Sequence, residues 1–142
     1  MLLEIIPPKD RPRAEDTVLR ALTRLYNLGI YPEWWKLEPM SAAQWHAVDA
    51  LIAGRDPHCR GVVLLGSNAT IEALAAGFRD AQASRSCRGF AVGRTIFQEP
   101  SQAWLANEID DAELKRQVRA RFETLIKVWR EARGGAAKER AA

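Results

Sequence analysis

The sequence predicts an α/β fold of four consecutive βα units, with parallel strands and outer helices, forming the C-terminal half of a (β/α)8 barrel. Three observations point there. Short apolar runs alternate with longer amphipathic ones at a spacing of about 30 residues, and parallel strands need helical crossovers of that kind. Each short run is halted at a proline or glycine. Charged residues recur on one face of the first two strands, which suits a barrel mouth better than an open sheet buried under helices on both sides.

Taken in order, the first strand is Leu2–Ile6, ended by Pro7-Pro8, which cannot continue a central strand. The stretch Ala14–Tyr26 repeats Val18, Leu22, Leu25 and Tyr26 at helical spacing, has acids in its first turn and stops at Gly29. A second strand, Trp34–Glu38, stops at Pro39. Ser41 then caps a helix covering Trp45, Val48, Leu51 and Ile52 that ends near Gly54. The third strand is Gly61–Leu65, followed by Gly66-Ser67-Asn68 and a helix from about Thr70 to Ala83. The fourth strand is Gly89–Gly93. A short helix anchored by Trp104 precedes a last helix over about Asp111–Ala132, with Leu114, Val118, Phe122, Leu125 and Trp129 on one face. Trp45 and Trp129 are expected to pack helices onto the barrel. The domain is placed at residues 1–133, with a flexible tail over 134–142, where Gly134-Gly135 and alanines follow the last helix. Cys59-Arg60-Gly61 and Cys87-Arg88-Gly89 each introduce a strand, an echo attributed to similar packing at the start of two adjacent units.

Composition narrows the function. The chain has 142 residues, 47% hydrophobic and 27% charged, as expected of a single soluble domain. No apolar run approaches the roughly 20 residues that span a bilayer, and the N-terminus lacks the features of a secretory signal, so a cytoplasmic protein without membrane contact is expected. Two cysteines provide neither a disulfide framework nor a zinc site. The net charge of +3 is mild and unconcentrated, without the basic stripe of a nucleic-acid binder. No carboxylate–histidine constellation suggests a metal, and no glycine-rich or Walker motif suggests a nucleotide. His46, in a helix, and His58, in a turn before a strand, are expected on the surface. No cofactor is expected.

The barrel follows from alternation, which puts Leu2, Glu4 and Ile6 on one strand face and Trp34, Lys36 and Glu38 on one face of the next. Burying three such charges under helices is costly unless each is paired, whereas at the C-terminal mouth of a barrel they point into a polar cleft. Four strands leave two unpaired edges. The expectation is therefore a piece of a longer protein, a homo-oligomer or a chain completed by a partner half-barrel, or a half-barrel rearranged into something else.

Several segments resemble one bacterial family: Leu3-Glu4-Ile5-Ile6-Pro7-Pro8-Lys9, Arg24–Ile30, Pro32–Pro39, Arg60–Gly66 and Gly89–Phe97. It is the aldolase-like domain DUF2090, often fused behind the sugar kinase 5-dehydro-2-deoxygluconokinase of myo-inositol catabolism. The resemblance runs to about Arg133 and corresponds to the C-terminal half of that domain. More distantly, the domain is similar to class I tagatose-bisphosphate aldolases, whose Schiff-base lysine lies in a Lys-Val-Glu-x-Pro strand. Lys36-Leu37-Glu38-Pro39 resembles that pattern, with leucine in place of valine and the proline directly after the glutamate. The acid/base glutamate of those enzymes lies on the preceding strand, which assigns its role to Glu4. The resemblance implies a phosphorylated sugar-acid substrate, 6-phospho-5-dehydro-2-deoxygluconate, cleaved to dihydroxyacetone phosphate and malonate semialdehyde.

A class I aldolase needs an amine that attacks a ketone and a neighbour that moves protons. Lys36, between Trp34-Trp35 and Glu38, is the expected nucleophile, Glu4 the proton shuttle, and Glu38 a second carboxylate that orients Lys36. The residues alone fit a structural ion pair lining the barrel equally well; the resemblance favours catalysis. Phosphate is expected at Gly66, Ser67, Gly93 and Arg94, because barrels frequently hold it on the loops after strands 7 and 8. Glycine there permits close backbone approach, and arginine supplies a charged fork. The alternative is a catalytically incomplete half-barrel with a structural or partner role.

Overall fold

The structure, a computed structural model, describes residues 1–8, 10 and 12–139. Its elements run β1 (Leu2–Glu4), α1 (Thr17–Asn27), β2 (Trp34–Leu37), α2 (Ala42–Arg55), β3 (Gly61–Leu65), α3 (Ile71–Asp80), a 3-10 turn (Ala81–Ala83), β4 (Cys87–Ala91), α4 (Arg94–Leu105) and α5 (Asp111–Glu139). The four strands form one sheet in the order β1-β2-β3-β4, every pair parallel. These are four βα units in sequential order, the arrangement of half of a (β/α)8 barrel. Among the described residues, no helix is long and apolar enough to cross a membrane.

The chain divides into two compact units. The first, Met1–Leu65 with Asp80–Ala91, holds the sheet, α1 and α2. Its register sets Leu3, Trp35, Val62 and Cys87 side by side, and likewise Leu37, Leu64 and Phe90. Trp35, Leu37, Val62, Leu64 and Cys87 are wholly buried, so this face belongs to the core. Helix α1 contributes Val18, Leu22 and Tyr26, and α2 contributes Trp45, Val48 and Ile52. Tyr26 meets Trp35 edge-on, ring centroids 5.6 Å apart. Helix α1 ends as its sequence requires: Gly29 N–H donates to Tyr26 O and Ile30 N–H to Leu25 O, the paired bonds of a Schellman close. Ser41 and Gln44 complete a reciprocal capping box at the start of α2.

On the opposite sheet face Gly61 and Leu65 of β3 are buried, whereas Leu2 is 47% exposed and Glu4, Trp34, Lys36 and Val63 are not buried. Fully parallel sheets are ordinarily covered on both faces. Among the described residues, β1 and β4 also have no strand on their outer edges.

The second unit, Gly66–Arg79 with Val92–Ala142, holds α3, α4 and α5. Phe78 on α3 meets Trp129 on α5 edge-on at 5.2 Å, so Trp129 packs helix against helix. The Trp104 indole donates to Asp111 Oδ1 at 2.7 Å, tying the end of α4 to the start of α5.

Several boundaries differ from expectation, among them the end of β2 at Leu37 and the span of α1 over Thr17–Asn27. Strand β1 ends at Glu4, although Ile5 N–H still donates to Lys36 O at 3.0 Å. Strand β4 lies two residues earlier than expected, at Cys87–Ala91, because Gly93 is taken as the N-cap of α4. Helix α4 is twelve residues long with Pro100 inside it, and α5 runs to Glu139. Of the expected tail, residues 140–142 lie outside the described residues. On α5 the expected stripe loses Phe122, which is 46% exposed, while Leu125 is buried.

Candidate functional site

The register of β1 on β2 pairs Glu4 directly with Lys36. Partners in a parallel ladder share a face, so both side chains emerge on the open side of the sheet. The Lys36 ammonium lies 3.0 Å from Glu4 Oε1, with the two side chains 23% and 35% exposed. Their direction is imposed from behind. Trp35 and Leu37 flank Lys36 and are both fully buried, and alternation therefore sends Lys36 away from the helices.

Trp35 is itself held by a polar link inside the core. Its indole N–H donates to the Tyr26 hydroxyl at 2.8 Å, and that hydroxyl donates to Asp56 Oδ2 at 3.4 Å. Burial pushes the Tyr26 phenol far above the usual tyrosine range, with the bond from Trp35 pulling the other way. Asp56 is 4% exposed and also receives the His58 backbone N–H on Oδ1. These bonds fix the strand that presents Lys36.

Glu38 has a partner that the sequence reading did not consider. Arg13, on the loop between β1 and α1, places Nη1 at 3.1 and 3.0 Å from the two Glu38 carboxylate oxygens. The same guanidinium donates from Nε to Pro8 O at 3.0 Å and from Nη2 to Pro7 O at 3.3 Å. The signal for it was positional: Arg13 is one of three basic residues, with Lys9 and Arg11, in the segment beyond the Pro7-Pro8 stop, at the strand end where barrels concentrate function.

The second unit brings the expected phosphate residues onto two touching loops. Gly66 through Ala69 make a tight turn, with Ala69 N–H donating to Gly66 O at 2.7 Å. Both central residues are left-handed, Ser67 at φ 46° and Asn68 at φ 59°. That conformation costs a non-glycine residue roughly 1–2 kcal/mol, less for asparagine. The Thr95 hydroxyl donates to Ala69 O at 3.0 Å and joins this turn to the start of α4. Gly66 lies so close to Val92 that an added Cβ would stand 2.8 Å from its Cγ1. Gly93 caps α4, and Ile96 and Phe97 N–H both donate to its carbonyl. The first amides of a helix have no partner within it, which makes such an end receptive to anions. Ser67 and Arg94 are exposed. Thr95, which sequence reasoning missed, is the residue that couples the two loops.

His46 and His58 are both exposed. Among the described residues, no group of three or more His, Cys, Asp or Glu side chains is placed to hold a metal ion. No curated protein matches the sequence. A family model does: that of DUF2090, described as an uncharacterized protein conserved in bacteria, matches residues 1–133. With nearly its whole length matched, the chain belongs to the DUF2090 family.

Proposed function

We propose that this chain carries the Schiff-base centre of a class I aldolase, with Lys36 as nucleophile and Glu4 as proton shuttle. The observation that carries the reading is the 3.0 Å Lys36–Glu4 pair on the sheet face that α1 and α2 leave open. A structural ion pair would serve as well at the surface, where such pairs contribute little. Here both groups sit opposite each other at adjacent strand ends, the position from which barrels act on substrates.

The chemistry is as follows. The free amine of Lys36 adds to a ketone carbon; Glu4 donates a proton to the carbinolamine hydroxyl, which leaves as water to give the iminium. Glu4, now a carboxylate, takes the proton of the hydroxyl two carbons from the iminium carbon, and the bond between that hydroxyl-bearing carbon and the intervening carbon breaks. The aldehyde departs, and the electron pair is drawn into the iminium as an enamine. Protonation and hydrolysis then release the second product and the lysine. For 6-phospho-5-dehydro-2-deoxygluconate, the substrate implied by the resemblance to the kinase-fused domain, the aldehyde is malonate semialdehyde and the second product dihydroxyacetone phosphate. This chemistry uses the lysine itself and calls for no cofactor. A cytoplasmic setting follows from a phosphorylated substrate. For the second unit by itself, we propose that Gly66, Ser67, Gly93 and Arg94 bind phosphate through backbone amides, a hydroxyl and a guanidinium.

The unpaired outer edges of β1 and β4 favour a second reading, a catalytically incomplete half-barrel that docks with another half or with a second copy of itself. One experiment separates the two. Borohydride is added to the folded chain with dihydroxyacetone phosphate, and the adduct is located by peptide mass spectrometry. The aldolase reading expects modification at Lys36, none in Lys36→Ala, and trapping slowed by about 100-fold in Glu4→Gln. A folded chain that gives no Lys36 adduct overturns it and leaves the structural reading.

A further inference from the structure

Glu4 across the ladder and Glu38 two residues along the strand are the acids set toward the face of Lys36, yet among the described residues Lys36 is bonded to Glu4 alone. Glu4, opposite on β1, meets the ammonium. Glu38, two residues along from Lys36, has both oxygens on Arg13. The other neighbour across the ladder is Val63, which is uncharged. Glu4 and Glu38 are thus divided between two cations, Lys36 and Arg13.

The guanidinium is also engaged through all three of its nitrogens. Nη1 faces both Glu38 oxygens with one shared N–H, and Nε and Nη2 each donate to a proline carbonyl, so three of its five N–H groups have acceptors. With every nitrogen bonded to the chain itself, it is not placed as a free grip for a substrate carboxylate. Its reach is instead structural. Pro7 and Pro8 lie just past the end of β1, and Glu38 just past the end of β2, so one side chain ties together the exits of the two strands that present Glu4 and Lys36. Lysine is a poor substitute, because its three donors radiate from one atom whereas the guanidinium reaches these acceptors from three separate nitrogens.

We infer that Arg13 is a positioning residue for Lys36, holding Glu38 away so that Glu4 is the only carboxylate bonded to the amine. The inference deepens the Schiff-base reading and rests on it for its catalytic meaning. A second carboxylate released toward Lys36 would stabilise the ammonium over the free amine that the reaction needs. At about 4 Å, in surroundings as wet as these, the effect on the free-amine fraction is about fivefold.

The test reads Lys36 without requiring aldolase activity. The chain is reductively methylated with formaldehyde and cyanoborohydride at one pH, and the Lys36 rate is measured by peptide mass spectrometry against Lys115 and Lys127. Arg13→Ala is expected to slow Lys36 about fivefold relative to those lysines. Adding Glu38→Gln is expected to restore the wild-type ratio, because the competing charge is gone. A clamp acting only through the loop would leave the double variant as slow as the single, and that result overturns the proposal. So does an Arg13→Ala rate equal to wild type. Far-UV circular dichroism checks each fold, and Arg13→Gln with the same Glu38→Gln partner replaces the pair if Arg13→Ala does not fold. Wild-type chain that follows this methylation pattern yet gives no adduct with dihydroxyacetone phosphate would sink the aldolase reading while leaving the role of Arg13 intact.

Discussion

Removing one oxygen, by Tyr26→Phe, tests how the strand carrying Lys36 is held. Trp35 is fully buried, and its indole N–H has the Tyr26 hydroxyl as acceptor at 2.8 Å. Phenylalanine keeps the ring, and with it the edge-on contact to Trp35 and the tilted contact to Tyr31, centroids 5.3 Å apart. Almost the whole effect is then the orphaned indole donor, a desolvation cost of about 1–3 kcal/mol. Asp56 loses a long 3.4 Å bond but retains the His58 N–H, so its share is small. A loss of about 2 kcal/mol is expected in urea unfolding, with an unchanged slope. The alkaline limb gives a second readout. Burial raises the folded-state phenol above its unfolded value of about 10. The unfolded chain then releases that proton first. Stability contributed by this group is complete below the unfolded value and is lost as pH rises above it. In Tyr26→Phe that alkaline decline should shrink. Trp35→Phe should cost less in the Tyr26→Phe background than in wild type, by about 1 kcal/mol, because the donor needing an acceptor is already gone. A Tyr26→Phe chain within about 0.5 kcal/mol of wild type, or strict additivity in the cycle, would refute this account.

Two further perturbations address the sheet. The Asp49 carboxylate on α2 receives the Ser84 hydroxyl at 2.8 Å, Arg85 N–H at 2.6 Å, Ser86 N–H at 3.1 Å and the Ser86 hydroxyl, and so moors the segment entering β4. Partial burial pushes its pKa up, but these bonds together outweigh it and hold the group below its ordinary 3.8. A depressed folded-state value means stability present above about 3.8 and lost as pH falls through the folded value. Asp49→Ala should therefore cost roughly 2 kcal/mol at neutral pH, and the gap to wild type should close in urea titrations carried down to about pH 2. Gly61→Ala should destabilise by about 2 kcal/mol or more in thermal melts. Gly61 has φ +144°, and a Cβ there would stand 2.6 Å from Arg88 Cγ and 2.7 Å from the Ser86 carbonyl that accepts Val62 N–H. Gly89→Ala, with nothing within 4 Å of its Cβ position, is the control and should cost less than about 1 kcal/mol.

The sheet was legible because its strands follow a local rule. Short apolar runs ending in proline or glycine located three strands and overlapped the fourth, and alternation set Glu4 and Lys36 on the face opposite Trp35 and Leu37, as the register shows. The cysteine echo was also local. Cys59 Sγ faces Gly61 O at 3.7 Å and Cys87 Sγ faces Gly89 O at 3.8 Å, so each thiol bonds two residues ahead and the repeat is a packing device. What the sequence hid was non-local. Arg13 and Glu38 are 25 positions apart, and no periodicity links a loop residue to a strand end. Strand β4 was misplaced for a related reason. Phe90-Ala91-Val92 reads as its apolar centre, but Gly93 is needed as the cap of α4, and Arg88, unwelcome in a buried strand, lies over the bare Cα of Gly61. Phe122 reads as core by its spacing on α5 and yet is exposed, since spacing fixes which residues share a stripe but not how wide the buried stripe is.

The two faces of β2 pull in different directions, and the site depends on both. One face is dry and over-determined, with Trp35 and Leu37 packed and the indole bonded, so the backbone of Lys36 has little freedom. The other face is open: Leu2 is 47% exposed, and the Lys36 and Glu4 side chains are 23% and 35% exposed. Water at that face weakens every electrostatic interaction between the pair and any developing charge. A parallel sheet covered on its second face would exclude that water and strengthen those same interactions without moving Lys36 or Glu4. Position is thus supplied by the buried face, whereas catalytic strength requires that the open face be covered. The borohydride experiment distinguishes these contributions: a chain that forms the Lys36 adduct slowly, and faster once the open face is covered, would have its geometry already in place and lack only exclusion of water.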